Sequence, residues 1–181
     1  MSSSRFITAV FAASVLAVSA CSDNSKSSAP AGILAPSPAA PTTLHGVISK
    51  TGRDPAHELV LIQEDGSQIR LASSAETSAL AELEGAGVDV SGVFDSDLAF
   101  EITTFFVRQM HGAPVLDGVI LEETTVDATE NPVVNYRLQP SDGSDAQRIS
   151  PSAEMLLHLG VRMWVRLDDV GNAAEFGIIG Q

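Results

Sequence analysis

The sequence predicts a mainly β protein whose body consists of two similar halves, each with five short strands and one short helix. Leu44–Ile48 (LHGVI) recurs as Leu116–Ile120 (LDGVI), and the apolar run that follows in each half ends in an Asp-Gly pair. Each half then changes from strand-like alternation to a helical spacing of apolar residues and back again. Self-similarity of this kind indicates that one structural unit occurs twice in the chain.

The first three strands of each half follow from these repeated segments. Strand one is the repeated segment itself. Strand two is Leu59–Ile62 or Val133–Leu138, and strand three is Gln68–Leu71 or Gln147–Ile149. An Asp-Gly pair between apolar runs is a strong β-hairpin signal, because both residues tolerate the positive φ of a tight turn. Strands two and three are therefore expected to pair antiparallel.

A helix is predicted after strand three in both halves. Ser73 and Glu76 form a capping-box pattern in the first half. In the second half, Ser150 is expected to cap a helix that has Pro151 at its first position. The apolar residues of the two helix faces and the glycines that end the helices are Leu80, Leu83, Gly85 and Gly87 in the first half, and Met155, Leu156, Leu159 and Gly160 in the second.

Strands four and five complete each half. Strand four is Val88–Phe94 or Val161–Leu167, and strand five is Phe100–Val107 or Ala174–Ile179. The order of three strands, a helix and two strands resembles the OB-fold, a small five-stranded barrel. The resemblance implies two tandem OB-fold-like barrels, and the alternative is a single larger β-barrel or sandwich in which both halves share one core. The two barrels would span residues 44–112 and 113–181.

The N-terminus has the features of a secretory signal peptide. Arg5 precedes an apolar run, Phe6–Val18, that is shorter than the roughly 20 apolar residues of a membrane-spanning helix. Val18-Ser19-Ala20-Cys21 then resembles the lipobox of bacterial lipoproteins, which has a branched apolar residue, two small residues and a cysteine. The resemblance implies removal of residues 1–20 and attachment of lipid to Cys21, where two or more acyl chains give stable anchoring.

Residues 21–43 are expected to be the lipidated cysteine followed by a disordered linker. Segment 22–41 is rich in Ser, Ala and Pro and cannot bury enough apolar surface to fold. In the lipoprotein family of enteric bacteria, serine rather than aspartate after the cysteine favours the outer membrane, and Ser22 fits that pattern. The expected location is the cell envelope, with the lipid anchor in the outer membrane and the body facing the periplasm, although the sequence leaves a surface orientation open. An ordinary secretory signal with a cysteine near the cut by chance is the alternative.

Composition narrows the expected partners. The chain has 10 Lys and Arg against 23 Asp and Glu, a net charge of −13, and a surface this acidic repels the phosphates of nucleic acid. We therefore expect a membrane, reached through lipid on Cys21, together with an envelope protein or a glycan. Nucleic acid is not expected.

The sequence contains no recognised catalytic or cofactor motif. The residue four after His57 is Leu61 rather than a second histidine, and the four histidines are interpreted as single exposed or loop residues. The acidic pairs Asp95 and Asp97, and Asp168 and Asp169, fall in the same turn of the two halves but lack the glycine and glutamate of a calcium-binding loop. The chain also lacks a Gly-x-Ser-x-Gly nucleophile turn and a glycine-rich phosphate loop. The sequence therefore predicts no catalytic residue, metal ligand or cofactor.

A candidate binding patch lies on strand four of the second half. Alternation places Arg162, Trp164 and Arg166 on the face opposite the apolar residues of that strand. Trp and Arg are enriched at binding hot spots, so these residues are a candidate partner or ligand surface. In the alternative, which we favour, Trp164 packs against the first half, with Phe105 and Val107 as its neighbours.

These observations favour a membrane-anchored envelope lipoprotein that acts as a non-enzymatic binding or protein-interaction module. One alternative is an envelope hydrolase or metal-dependent enzyme whose site follows no known motif. The other is a structural or assembly lipoprotein. A pocket that gathers several polar side chains would favour an enzyme, whereas a shallow groove would favour a binding protein.

Overall fold

The computed structural model describes residues 40–53 and 56–180, which form two antiparallel sheets, one short α-helix and one 3₁₀ helix. The predicted fold class, mainly β with two barrel-like units in tandem, is confirmed. The first sheet contains β1 (Thr42–Arg53), β2 (Ala56–Ile62), β3 (Gln68–Arg70), β4 (Gly87–Phe94), β5 (Phe100–Met110) and β6 (Ala113–Pro114), with α1 (Ala75–Ala81) between β3 and β4. The second contains β7 (Leu116–Val126), β8 (Pro132–Pro140), β9 (Gln147–Ile149), β10 (Arg162–Leu167) and β11 (Ala173–Ile178), with the 3₁₀ helix Met155–His158 between β9 and β10.

The first five strands of the first sheet and the five strands of the second sheet have the same order, and β6 is an addition at the edge of the first sheet. In the first sheet β1 pairs with β2 and β4, β2 also pairs with β3, and β4 also pairs with β5; β7 to β11 repeat these pairings. A single parallel bridge then joins the end of the third strand to the fifth, between Leu71 and Phe100 in the first half and between Ser150 and Asn172 in the second. This arrangement fits the partly open five-stranded barrel that the strand order predicted.

The repeated glycine of strand one has the same role in both sheets. A Cβ added at Gly46 would lie 2.5 Å from the carbonyl oxygen of Ile62, and one added at Gly118 would lie 2.3 Å from that of Gln139. Because a side chain cannot approach backbone so closely, glycine lets strands one and two come together at these points. The recurring sequence Leu-x-Gly-Val-Ile therefore marks the same close approach twice.

Each half has its own apolar cluster. The first cluster is centred on residues such as Ile48, Leu80 and Phe100, and the second on residues such as Ile120 and Met163. Three residues that follow β6 also belong to the first cluster, so the first core extends into the second half of the chain. These residues are Val115, Trp164 and Ile179.

The predicted capping of the first helix is wrong by one residue. Ser74, not Ser73, is the N-cap: its backbone is extended and its Oγ accepts a hydrogen bond from the Thr77 amide at 3.1 Å. Thr77 is therefore the third helical residue, and Glu76 falls one position short of a capping box. Glu76 still lies in the first turn, where the helix dipole favours a carboxylate.

The predicted second helix is also wrong in length. Only the four residues Met155–His158 are helical, as a 3₁₀ helix. Ser150 cannot start a longer helix because its carbonyl oxygen accepts the Ala173 amide at the bridge to the last strand.

The body also begins earlier than predicted. Thr42 and Thr43 were expected to end the linker, but they belong to β1 because they pair with Gly92 and Ser91 of β4.

Candidate functional site

The predicted patch on β10 does not form one exposed surface. Trp164 is only 6% exposed and packs in the first apolar cluster, as the alternative interpretation describes. Arg166 pairs with Glu175 of β11 at 2.7 Å on the surface. Arg162 points instead into the junction between the two halves, where it binds Asp117.

Asp117 organises that junction. Its Oδ1 accepts from Arg162 Nε at 2.8 Å and from Ser141 Oγ at 2.9 Å, and its Oδ2 accepts from Arg162 Nη2 at 2.6 Å and from the Val107 amide at 2.8 Å. Arg162 Nη2 also donates to the carbonyl oxygen of Phe105, and its guanidinium lies 4.4 Å from the centre of the Phe105 ring. These bonds tie β7 and β10 to β5 and so hold the second half on the first.

A cleft of about 460 Å³ lies on the outer face of the first sheet. Its centre is an ion pair between neighbouring strands: Asp89 on β4 receives His45 Nδ1 at 2.7 Å from β1 and Arg108 Nε at 2.7 Å from β5. Arg108 Nη1 then reaches Asp142 of the second half at 2.7 Å. Side chains that strand alternation places side by side therefore form one chain of charge-assisted hydrogen bonds.

The two carboxylates beside Arg108 are held in their charged form. Partial burial raises the pKa of Asp89, but hydrogen bonds from Arg108 and then from His45 outweigh it, and the pKa is lowered. The pKa of Asp142 lies well below its usual range because Ser144 and then Arg108 donate hydrogen bonds to it. Bonds to Asp142 and then Asp89 raise the pKa of Arg108.

His45 and Asp89 have the relative orientation of an acid–base pair. The next cross-strand pair on the same face consists of two hydroxyls, Thr43 Oγ1 and Ser91 Oγ, which lie 2.8 Å apart. Among the described residues neither hydroxyl is hydrogen-bonded to His45, so this group lacks the nucleophile-to-base bond of a hydrolase triad.

A second candidate surface is the hairpin formed by β7 and β8. β10 pairs with β7 only at Leu116–Val119, and β9 pairs with β8 only at Tyr136–Leu138. Beyond these points lie residues 121–135, which we call the arm; within the described part of the chain they pair only across the β7–β8 hairpin and with no third strand. At the tip, Asp127 accepts the Thr129 hydroxyl and amide and the Asn131 amide, and these bonds lower its pKa.

The arm has two different faces. One continues the side on which Ile120 and Leu138 are buried, and it carries Val126, 72% exposed, and Val134, 48% exposed. The opposite face carries Leu121, 49% exposed, and Val133, 36% exposed, beside two polar contacts. There Asn135 Nδ2 donates to Thr125 Oγ1 at 2.9 Å, and the carboxylate of Glu123 lies 3.7 Å from the guanidinium of Arg137. We call the first the core-side face, and its members are Glu122, Thr124, Val126, Pro132 and Val134.

The aspartates that sequence analysis weighed as calcium ligands cap turns instead. Asp95 Oδ1 accepts the amides of Asp97 and Ala99, and Asp168 Oδ1 accepts those of Val170 and Asn172. Short-range bonds of this kind are typical of Asx turns. Within residues 40–53 and 56–180, no group of three or more His, Cys, Asp or Glu side chains could hold a metal ion.

Sequence analysis missed both surfaces. It ended strand one of the second half at Ile120, although the consecutive β-branched residues Thr124, Thr125 and Val126 favour a longer strand. It also treated His45 as a single histidine, because the pairing with Asp89 depends on strand register. The predicted signal peptide, the lipobox Val18 to Cys21 and the linker up to residue 39 lie outside the described residues.

The chain has no match among protein-family models, curated proteins or solved structures. In the part of the chain that the structure describes, no helix is long and apolar enough to cross a membrane.

Proposed function

We propose that this protein is an envelope lipoprotein, anchored through Cys21, that acts as a protein-interaction module and contacts its partner with the core-side face of the arm. The observation that supports this is the exposure of Val126 and Val134 on the side of the sheet that elsewhere forms the core. An apolar face that continues past the end of its own core is typical of an interaction site.

The backbone of the arm supports the same proposal. A two-stranded ribbon on its own is at best marginally stable in water, and its unpaired edges can accept another strand. In the described residues, β7 from Leu121 and β8 up to Asn135 have a free edge on each side. A partner that covers the core-side face and pairs with one edge would stabilise the arm.

Charge indicates the chemistry of the partner. Glu122 lies on the core-side face, and Asp127 and Glu130 lie at the tip. A second copy of this chain, with its net charge of −13, would bring like charges together, and an anionic lipid surface would do the same. The partner that fits is another protein with an apolar groove or strand bordered by Lys and Arg.

The test is site-specific photo-crosslinking in intact envelopes. A photoreactive phenylalanine analogue replaces either Val134 on the core-side face or its neighbour Val133 on the opposite face. We expect a defined adduct from position 134 that is several-fold stronger than from position 133 and weaker at high ionic strength. Val126→Ser should weaken binding about 10-fold, which corresponds to losing the free energy of burying one apolar side chain of this size.

Two results would contradict the interaction proposal. Equal adducts from both positions would show that the faces are not distinguished. An adduct that contains only peptides of this chain would show self-association instead of a basic partner.

Anchoring is tested separately with Cys21→Ala. We expect the wild-type protein to fractionate with membranes and to incorporate labelled palmitate, and the variant to lose both properties, since lipid is then the attachment. Unchanged membrane association of the variant would refute the lipoprotein assignment and leave the role of the arm open.

A further inference from the structure

The cleft on the first sheet has the form of a small-molecule site. Its volume of about 460 Å³ lies within the range of roughly 300–1,000 Å³ that such sites occupy. A second hollow of about 370 Å³ shares His45, Gln63 and Glu64 with it, so the two form one extended groove. The groove lies on β1, β4 and β5, next to the C-terminal end of β2. A separate hollow, lined by Arg70 and α1, lies at the N-terminal end of β2.

The single arginine of the groove is already bonded on both sides to carboxylates. Arg108 is bonded to both Asp89 and Asp142, and His45 Nδ1 is bonded to Asp89. An anionic ligand would find no uncompensated cation here and would meet the acidic field of the whole chain. Glu64 and Asp65 are the lining carboxylates without an ion pair among the described residues, and Asp65 is already used to cap its own turn through the Ser67 amide, which leaves Glu64 for a ligand.

The remaining polar groups suit a neutral ligand with many hydroxyls. The amide of Gln109, the ring of His45 and the carboxylate of Glu64 offer both donors and acceptors along the groove. Gln63 adds its Nε2 as a donor, while its Oε1 accepts the Ser67 hydroxyl. Hydroxyl groups donate and accept in turn, so they can satisfy such a mixed set. Asp89 holds His45 in place, and this reduces the entropy that binding would cost.

Gly87 lies beneath Gln109 in the floor of the groove, and its lack of a side chain leaves room for Gln109. A Cβ at Gly87 would lie 3.1 Å from Gln109 Cβ and 3.4 Å from its Oε1, so the Gln109 side chain lies directly over the glycine. Val47, Ile62 and Val88 add apolar surface beside the polar groups. We propose that this groove binds a neutral saccharide of one or two sugar units.

The experiment is a two-dimensional NMR titration of the full-length protein in detergent. The probes are N-acetylglucosamine, galactose, maltose and cellobiose, with glucuronate as the anionic and glucosamine as the cationic comparison. We expect a neutral sugar to shift the side-chain resonances of Gln63, Gln109 and His45. Gln109→Ala should weaken this binding about 3- to 10-fold, which corresponds to the net free energy of one hydrogen bond.

Variants locate the site. Gly87→Ala should weaken sugar binding because its methyl group displaces Gln109, whereas Gln147→Ala on β9 of the other half should leave the affinity unchanged. The proposal is overturned if no neutral sugar shifts these resonances at millimolar concentration, if a charged sugar binds more tightly, or if Gly87→Ala binds as well as wild type. This site is separate from the arm, so neither result bears on the interaction proposal.

Discussion

Arg162 and Asp117 are joined by two parallel hydrogen bonds, from Nε to Oδ1 at 2.8 Å and from Nη2 to Oδ2 at 2.6 Å, at the junction of the two halves. The Asp117 side chain is 2% exposed and that of Arg162 is 27% exposed. Because the carboxylate also accepts the Val107 amide, the pair is bound to the first sheet as well as to its own. Loss of either partner leaves a charge or a backbone donor unsatisfied at the junction.

We therefore expect Asp117→Ala to lower the free energy of unfolding by about 3 kcal/mol, the lower end of the range for breaking a buried ion pair, since Arg162 keeps some contact with water. Urea denaturation followed by far-UV circular dichroism measures this. Arg166→Ala is the matched control, because Arg166 lies on the same strand as Arg162. This variant breaks an exposed ion pair with Glu175 of β11 and should cost less than about 1 kcal/mol. Equal losses in the two variants would mean that the Asp117 network adds nothing beyond surface pairing.

A second prediction concerns Trp164 and Gly177, which face each other across β10 and β11. A Cβ at Gly177 would lie 2.6 Å from Trp164 Nε1, so the indole ring lies flat on the glycine. Gly177→Ala should push the ring out of the first apolar cluster and cost about 1–3 kcal/mol by overpacking. Trp164 is the only tryptophan, so its fluorescence maximum should shift to longer wavelength. An unchanged spectrum with unchanged stability would show that the ring has room to move.

The sequence predicted the repeat and the strand order because both depend on local patterns. The Leu-x-Gly-Val-Ile segments, the Asp-Gly turns and period-two alternation are each readable over a few residues. The errors fall where tertiary contacts decide. Ser150 has good helix-capping chemistry, but its backbone is already committed to the bridge with Asn172.

The candidate surfaces were less predictable for the same reason. Alternation places Trp164 and Arg162 on the outer face of β10, but alternation does not reveal that the first half covers this face. The cleft depends on the register that sets His45 opposite Asp89, and the arm depends on how far β9 and β10 extend along their neighbours. Register and strand length across a sheet are long-range properties that a single sequence does not display.

A third prediction tests the close approach in strand one. Gly46→Ala and Gly118→Ala should each destabilise the protein, because the new methyl group would meet the backbone oxygen of Ile62 or Gln139. Gly87→Ala is the control: its nearest atoms belong to the exposed Gln109 side chain, so the change in stability should stay within about 1 kcal/mol. Thermal melting compares the three variants. If Gly46→Ala melts like Gly87→Ala, the two strands can separate there without cost.

A fourth prediction concerns acid. Hydrogen bonds lower the pKa of the turn residues Asp65, Asp127, Asp142 and Asp168 in the folded protein. A carboxylate whose folded pKa is depressed contributes stability above its unfolded pKa, about 3.9 for Asp, and this contribution is lost as the pH falls towards the folded pKa. The melting temperature should therefore be level near neutral pH and fall steadily below about pH 5.

Asp142→Asn separates this effect from general acid denaturation. The variant keeps the turn but loses the charge that bonds Ser144 and Arg108, so it should be less stable than wild type at pH 7 and approach it as the pH falls below the unfolded pKa. Asp145→Asn is the control from the same turn, because Asp145 has no hydrogen bond or ion pair among the described residues. Melting curves across this pH range decide the matter: a constant difference between Asp142→Asn and wild type would mean that the Asp142 carboxylate does not couple folding to protonation.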